Sequence, residues 1–255
     1  MRLFDTHAHL DFSPFDPDRA EVLAALRAHR VAVLNVGADL RSSAASLDLA
    51  RKHPFVFAAC GVHPHDAKTF IPGVEAQLAE LLRQGAVAVG ECGLDFYRDL
   101  SPRDVQVQAF RAQLRLAKRL GLPVVLHERE AWDAFLQILH EERPSRGVVH
   151  AFSGDTARAQ EIVALGLHLG IGGPLTYSKN DALRQAVRTL PLESIVLETD
   201  APYLPPEPFR GQRNDPGKVH LVAERLAALR GMSATELAEA MWANASRLFS
   251  VAPRF

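Results

Sequence analysis

Eight short apolar runs, each of strand length and each followed by a segment with helical spacing, constrain this chain more than any other feature. The first run, Arg2-Leu3-Phe4-Asp5-Thr6, leads into His7-Ala8-His9. The others are read as Val31–Val36, Phe55–Gly61, Ala86–Glu91, Leu122–His127, Gly147–Ala151, Leu167–Ile171 and Ile195–Thr199. Between them, apolar residues recur at helical spacing over Ala20–His29, Ser42–His53, Val74–Arg83, Arg103–Leu120, Ala131–Glu141, Thr156–Leu165 and Ala182–Leu190. A Pro-rich loop from Ala201 to Gly217 precedes two closing helices, Lys218–Arg230 and Ala234–Phe249. Strands that are apolar throughout are buried on both faces, which calls for a parallel sheet covered by helices. Eight such units in 255 residues predict a single (β/α)₈ TIM barrel with closing C-terminal helices, one domain over residues 1–255. An open doubly wound sheet would want a Gly-rich phosphate turn after the first strand. Here His-x-His stands in that place.

In such a barrel the chemistry sits at the C-terminal ends of the strands. Those ends, with the turns just after them, carry His7, His9, His63, His65, Glu91, His127, His150 and Asp200. Of the 11 histidines, these six take strand ends, whereas His29, His53, His140 and His220 lie in helical segments and His168 opens a strand at the opposite rim. Side chains at i and i+2 of a strand share a face, so His7 and His9 project together. Two neutral imidazoles so placed suit a divalent cation, although a histidine pair at an exposed strand edge has the same sequence signature. Glu91 ends an apolar run, where an unpaired carboxylate is costly, so a metal or an arginine must compensate it. His127 and His150 taken singly would be core histidines, and Asp200 a capping residue. Together on one rim they form a site. Six nitrogen and oxygen ligands exceed the need of one tetrahedral zinc. Two ions sharing Glu91 would use His7, His9, Glu91, His127, His150 and Asp200.

Two cations a few ångströms apart lower the pKa of a bridging water and stabilise the attacking and leaving oxygens of an in-line displacement. Asp200 is then the base for that water, and Glu198, two residues earlier, a supporting carboxylate. Ser153 and Ser178 lack a base and an orienting group, and Cys60 and Cys92 lie in apolar runs as free thiols of a reducing cytoplasm.

These residues lie in motifs that resemble the TatD-type metal-dependent deoxyribonucleases of the amidohydrolase superfamily. The motifs are Phe4-Asp5-Thr6-His7-Ala8-His9-Leu10, Gly61-Val62-His63-Pro64-His65, Gly90-Glu91-Cys92-Gly93-Leu94-Asp95 and Pro123-Val124-Val125-Leu126-His127. His150-Ala151-Phe152-Ser153-Gly154, Glu198-Thr199-Asp200-Ala201-Pro202-Tyr203-Leu204, Arg213-Asn214-Asp215-Pro216 and Asn244-Ala245-Ser246-Arg247-Leu248-Phe249 complete the order over essentially the whole chain. The resemblance implies a TIM barrel, two divalent cations (zinc, manganese or magnesium) and phosphodiester hydrolysis, in several members from a DNA 3′ end. It gives the ligand role to His7, His9, Glu91, His127, His150 and Asp200. With these go Asp200, Glu91, Glu198 and His63 as catalytic residues and His63, His65 and Arg129 as substrate contacts. The sequence departs from the family at Ala151, where cysteine is usual, and at Gly173-Pro174 before Leu175-Thr176-Tyr177.

Net charge is -1, so no global field recruits a polyanion and phosphates must be gripped locally. Arg98, Arg129, Lys179, Arg210 and Arg213 lie in the strand-to-helix loops, and Arg129, two residues beyond His127, is the phosphate contact we expect. Phe96 and Tyr97 are candidates for stacking on a base. The leading expectation is a nuclease acting on single-stranded or frayed DNA 3′ ends. The alternative keeps the metal site and cleaves an amide, lactone or phosphotriester, since one barrel hosts many chemistries. No apolar run has the length of a membrane span, no cleavable signal opens the chain and no obligate protein partner is evident, so the expected location is the cytoplasm.

Overall fold

Each of the eight apolar runs forms a strand in the computed structural model, which describes residues 1–255. The strands are β1 Leu3–Ala8, β2 Val31–Val36, β3 Val56–Cys60, β4 Ala88–Asp95, β5 Val124–Arg129, β6 Gly147–Val149, β7 His168–Ile171 and β8 Ile195–Leu197. They pair in parallel and in chain order, as a (β/α)₈ barrel requires. The intervening helices are α1 Arg19–Ala28, α2 Leu40–Lys52, α3 Val74–Arg83, α4 Arg103–Leu120, α5 Trp132–Glu142, α6 Thr156–Ala164 and α7 Asp181–Thr189. Then come α8 Val219–Arg230 and α9 Ala234–Phe249. Their ends follow local chemistry. Asp39 and Ser233 open α2 and α9 with capping boxes, each worth about 1 kcal/mol. Gly121 and Gly231 close α4 and α8 in the left-handed conformation.

Two apolar clusters separate the faces of the sheet. Val31, Val33, Val56, Ala58, Cys60, Val89, Cys92, Val124 and Leu126 pack outward against the helices. Phe4, Ala32, Leu34, Ala59, Ala88, Val125, Val148 and Val196 fill the barrel interior, which α9 plugs from below with Trp242, Leu248 and Phe249. The interior is thus a packed floor, and polar residues face inward only above it.

Simple alternation does not bring all of them there. From the inward Phe4, a period of two would turn His7 out, and from the inward Ala88 it would turn Glu91 out. Register shifts correct both: β1 gains a residue against β2 between Asp5 and Ala8, and β4 gains one against β5 between Val89 and Cys92. Strand β4 also runs on to Asp95 rather than ending at Glu91, because Cys92–Asp95 pairs with Leu126–Arg129. Conversely β8 ends at Leu197, short of Thr199, and β6 at Val149, short of Ala151.

The β8–β1 seam is closed largely by side chains. Thr6 Oγ1 donates to Leu197 O (3.0 Å), and Thr199 N donates to Asp5 Oδ1 (2.9 Å). Backbone bonds follow from Asp200 N to His7 O (2.9 Å) and from His9 N to Ala201 O (2.8 Å). Asp200 is thereby fixed with φ +56°, a left-handed conformation rare for residues other than glycine.

Cys60 and Cys92 are both free and fully buried. Burial pushes the Cys60 thiol up to about 12 and raises that of Cys92 as well. A disulfide reagent at pH 8 should therefore find no reactive thiol in the native protein and two after denaturation. A native titre of one or two would show that these side chains reach solvent.

Candidate metal centre

Above the apolar floor, six of the eight rim residues named from the sequence gather around a seventh, the carboxylate of Glu91. Its Oε2 lies 3.2 Å from His7 Nε2 and 3.8 Å from His9 Nε2. The two imidazole nitrogens are 3.2 Å apart, and Asp200 Oδ1 is 3.8 and 3.6 Å from them. On the other side, Glu91 Oε1 lies 2.6 Å from His150 Nε2, 2.9 Å from His127 Nδ1 and 3.4 Å from His63 Nε2. His127 Nδ1 and His150 Nε2 are 3.0 Å apart. Two donor groups thus share the carboxylate through different oxygens. Ligands of a cation bound at about 2.0–2.1 Å stand roughly 2.9–3.4 Å from one another, and most of these separations fall in or near that range. His7, His9 and Glu91 could hold a metal on one side and His63, Glu91 and His127 on the other, while His150 lies close enough to join His7 and Asp200 as well.

Proton positions separate the histidines. His9 Nδ1 lies 2.8 Å from Val36 O, an acceptor only, so Nδ1 carries a proton. Burial would lower this ring, but the Asp200 and Glu91 carboxylates raise it to about 9, so Nε2 also holds a proton near pH 7 and a bound cation would take that proton's place. The Nε2 of His127 lies 3.2 Å from Asp95 Oδ2; burial would lower this ring, but Asp95 and Glu91 raise it to about 9, so a cation at Nδ1 would likewise displace a proton. His63 is the opposite. Its Nδ1 accepts from His65 N (3.1 Å), so in the neutral ring Nε2 carries the proton and faces Glu91 as a donor. Burial holds both His7 and His63 down to about 4, so both rings are neutral near pH 7. His7 Nδ1 and His150 Nδ1 are buried without a hydrogen-bond partner, so their polar contacts lie on the Glu91 side alone.

The carboxylates divide likewise. Burial by itself would raise Glu91, but the imidazoles of His150, His63 and His7 outweigh it and hold the group well below the usual carboxylate range. Burial raises Glu198 well above that range and pushes Asp5 up to about 8. Glu198 is placed differently from the other catalytic candidates: it lies beneath the centre, with Oε1 taken by the Ala151 N–H and 3.9 Å from His150 Nδ1. Its room comes from Gly170, where a Cβ would stand 2.1 Å from Glu198 Oε2. Ala151, the departure from the family's usual cysteine, supports the site through its backbone N–H.

Asp95 is the residue the sequence reading missed. It is fully buried, and its Oδ2 lies 3.2 Å from His127 Nε2 and 2.8 Å from His65 Nε2. Its Oδ1 accepts from Tyr97 N and Arg98 N (3.1 and 2.7 Å). One carboxylate therefore orients an imidazole of the centre, pins His65 and shapes the following loop. The signal was present: Glu91, Gly93 and Asp95 alternate on one strand face. Asp95→Asn should weaken cation binding on the His127–His150 side about 10- to 100-fold while sparing the His7–His9 side. Calorimetric metal titration would show this as one weakened site of two, and two unchanged affinities would exclude the role.

Two of the arginines named from the sequence differ in their surroundings. Arg129, at the end of β5, is exposed, stacks over Tyr97 with 3.9 Å to the ring centroid and has no carboxylate partner, so its guanidinium edge is free for a phosphate. Arg213 instead forms a two-point ion pair with Asp18 (2.7 and 2.6 Å) and packs over Phe15, tying two loops together.

Barrel and donor set together define the class as a metal-dependent hydrolase. More narrowly, the chain belongs to the TatD family: the model described as TatD related DNase matches residues 4–250. The chain is 38% identical over 253 residues to a metal-dependent hydrolase of Bacillus subtilis, YabD, covering 98% of this chain and 99% of that protein. It is 36% identical over 259 residues to the 3′-5′ ssDNA/RNA exonuclease TatD of Escherichia coli, covering 98% and 100%. The crystal structure of YjjV, a TatD homologue from Escherichia coli, superposes with TM-score 0.93 at 36% identity over 98% of this chain and 99% of that one. No helix is long and apolar enough to cross a membrane.

Proposed function

We propose that this protein is a two-cation phosphodiesterase, a single hydrolase domain over residues 1–255 that removes nucleotides from the 3′ ends of single-stranded or frayed DNA in the cytoplasm. The observation that carries the proposal is the Glu91 carboxylate set between two donor groups, one on each oxygen. His7, His9 and Asp200 would hold one divalent cation, zinc, manganese or magnesium, and His127 and His150 the other, with Glu91 common to both. When bound, the cations supply the positive charge that lowers the pKa of water and stabilises the oxygens of an in-line displacement.

The chain's own residues supply the rest. Asp200, which burial would raise but the His9, His150 and His7 imidazoles hold low, is ionised near pH 7 and can accept a proton at its carboxylate. His63 offers its Nε2–H to a phosphate oxygen, a role open to it because its lone pair is engaged by His65 N. Glu198 holds the Ala151 N–H beneath the centre, next in the chain to His150, and Asp95 fixes His127 and His65. Arg129 neutralises a phosphate at the rim. The 3′ polarity is supported by the printed activity of the Escherichia coli relative, at 36% identity over nearly all of both chains.

The test is a 5′-labelled single-stranded oligonucleotide incubated with manganese or magnesium. A ladder shortening from the 3′ end supports the proposal. No ladder under any divalent cation, with rapid turnover of a lactone, amide or phosphotriester, would assign the centre to a small-molecule amidohydrolase instead. Arg129→Ala should raise the Michaelis constant for DNA severalfold at low salt, with the defect shrinking as salt screens the contact. Equal constants across a salt series would remove Arg129 from the phosphate site.

A further inference from the structure

Two adjoining cavities open beside the centre, between the loops that follow β5 and β6. The inner one, about 30 Å³, is lined by His150, Ala151 and Phe152 and has room for about a water or a phosphate oxygen. The outer one, about 670 Å³, is the size of a small-ligand pocket. Both share Glu128, Trp132, Ser153 and Arg158, so only the water-sized inner cavity separates the outer one from His150. Two arginine–aromatic pairs flank the outer cavity: Arg158 lies over Trp132 (5.0 Å to the ring centroid) and Arg129 over Tyr97 (3.9 Å). Neither arginine forms an ion pair within 4.0 Å, unlike Arg19, Arg111, Arg115 and Arg213 elsewhere on the surface.

We propose that the outer cavity is a nucleotide subsite, and that it holds the nucleotide on the 5′ side of the scissile bond, the part of the strand that remains after cleavage. The proposal rests on the phosphodiesterase reading above. A strand whose 3′-terminal bond lies at the centre must lay its next nucleotide on the rim beside it, and the outer cavity is a nucleotide-sized space there, next to the small void that borders His150. A guanidinium laid flat on an aromatic ring presents its outer face to a base and its N–H edge to a phosphate. Trp132 is held in place by its Nε1–H to Glu161 (3.3 Å). The acids limit what fits. Glu128 spends one oxygen on Ala131 N (2.8 Å), and Glu130 and Asp133 stand exposed at the outer part. Three carboxylates would repel a run of phosphates, but they can accept from the exocyclic amine of a base. The chemistry suits one nucleotide between two arginines rather than a long basic track.

The experiment compares kcat/KM for a single-stranded 12-mer and for bis(p-nitrophenyl) phosphate, a diester too small to reach from the centre into the outer cavity, in wild type, Arg158→Ala and Trp132→Leu. Loss of a stacking platform corresponds to roughly 5- to 150-fold in affinity per base. The expected result is a ratio of oligonucleotide to small-ester efficiency about tenfold lower in each variant, carried by KM. Because Arg158 is exposed, its replacement leaves the core intact even if Trp132→Leu unfolds. An unchanged ratio in Arg158→Ala, or an equal fall for both substrates, would overturn the subsite. If wild type cleaves the small ester but no oligonucleotide under any cation, the nuclease reading itself fails and takes the subsite with it. If wild type cleaves both and Arg158→Ala matches it, only the subsite fails.

Discussion

Glu91→Gln protein is expected to fold and to lose turnover by about 10³-fold or more. In the native chain one carboxylate faces His127 and His150 with Oε1, at 2.9 and 2.6 Å, and His7 with Oε2, at 3.2 Å. Glutamine has the same shape but no charge, and one of its two ends becomes an N–H donor that cannot face a cation. Whichever way the amide turns, one donor group loses its shared ligand and both lose the negative charge between them. The fold has less to lose, since the packed floor of Phe4, Leu34, Val125 and Val196 lies below Glu91. Melting temperature, metal content and turnover measured on the same preparation separate these effects. Wild-type turnover with two cations retained would remove Glu91 from the centre.

Gly93→Ala should act through the backbone and damage both stability and the centre. Gly93 has φ +151°, and a Cβ there would stand 1.9 Å from His127 O, with the carbonyl carbon and the amide nitrogen of His127 at 2.8 and 2.9 Å. These are backbone atoms, so no rotamer change relieves the overlap. Strands β4 and β5 must part where Glu91, Asp95 and His127 are carried. A cost of about 3 kcal/mol or more follows, roughly 6 °C or more in melting temperature, together with weakened metal binding beside His127. Gly121→Ala is the control. It also has positive φ, +65°, but open space around the added methyl, so it should cost only about 1 kcal/mol. If Gly93→Ala melted like Gly121→Ala and bound metal like wild type, the close approach of the two strands would be wrong.

The barrel could be read from the sequence because its signal is repeated eight times: apolar runs such as Val31–Val36 are marked at each end by turn residues. The rim residues could be read for the same reason, since a histidine or carboxylate after such a run is costly unless something at the rim uses it. What escaped reading depends on how neighbouring strands are offset. Alternation counted along β1 alone faces either Phe4 or His7 inward but not both, and only the extra residue against β2 reconciles them. Asp95 is hidden because the apolar run of β4 ends at Glu91, which makes Asp95 read as a loop residue out of reach of His127. Arg213 was grouped with the rim arginines, yet its partner Asp18 is far away in the chain and joins it only in the fold. Likewise Trp132 and Arg158, in α5 and α6, face one another only because β5 and β6 are adjacent. Chain position told which loops share a rim, but not which side chains meet across it.

The central claim is that Glu91 holds two cations in common, and crystals grown with manganese test it most directly. An anomalous difference map should show two peaks flanking the Glu91 carboxylate, one among His7, His9 and Asp200 and the other beside His127 and His150. A single peak, or two peaks neither of which touches Glu91, would contradict it.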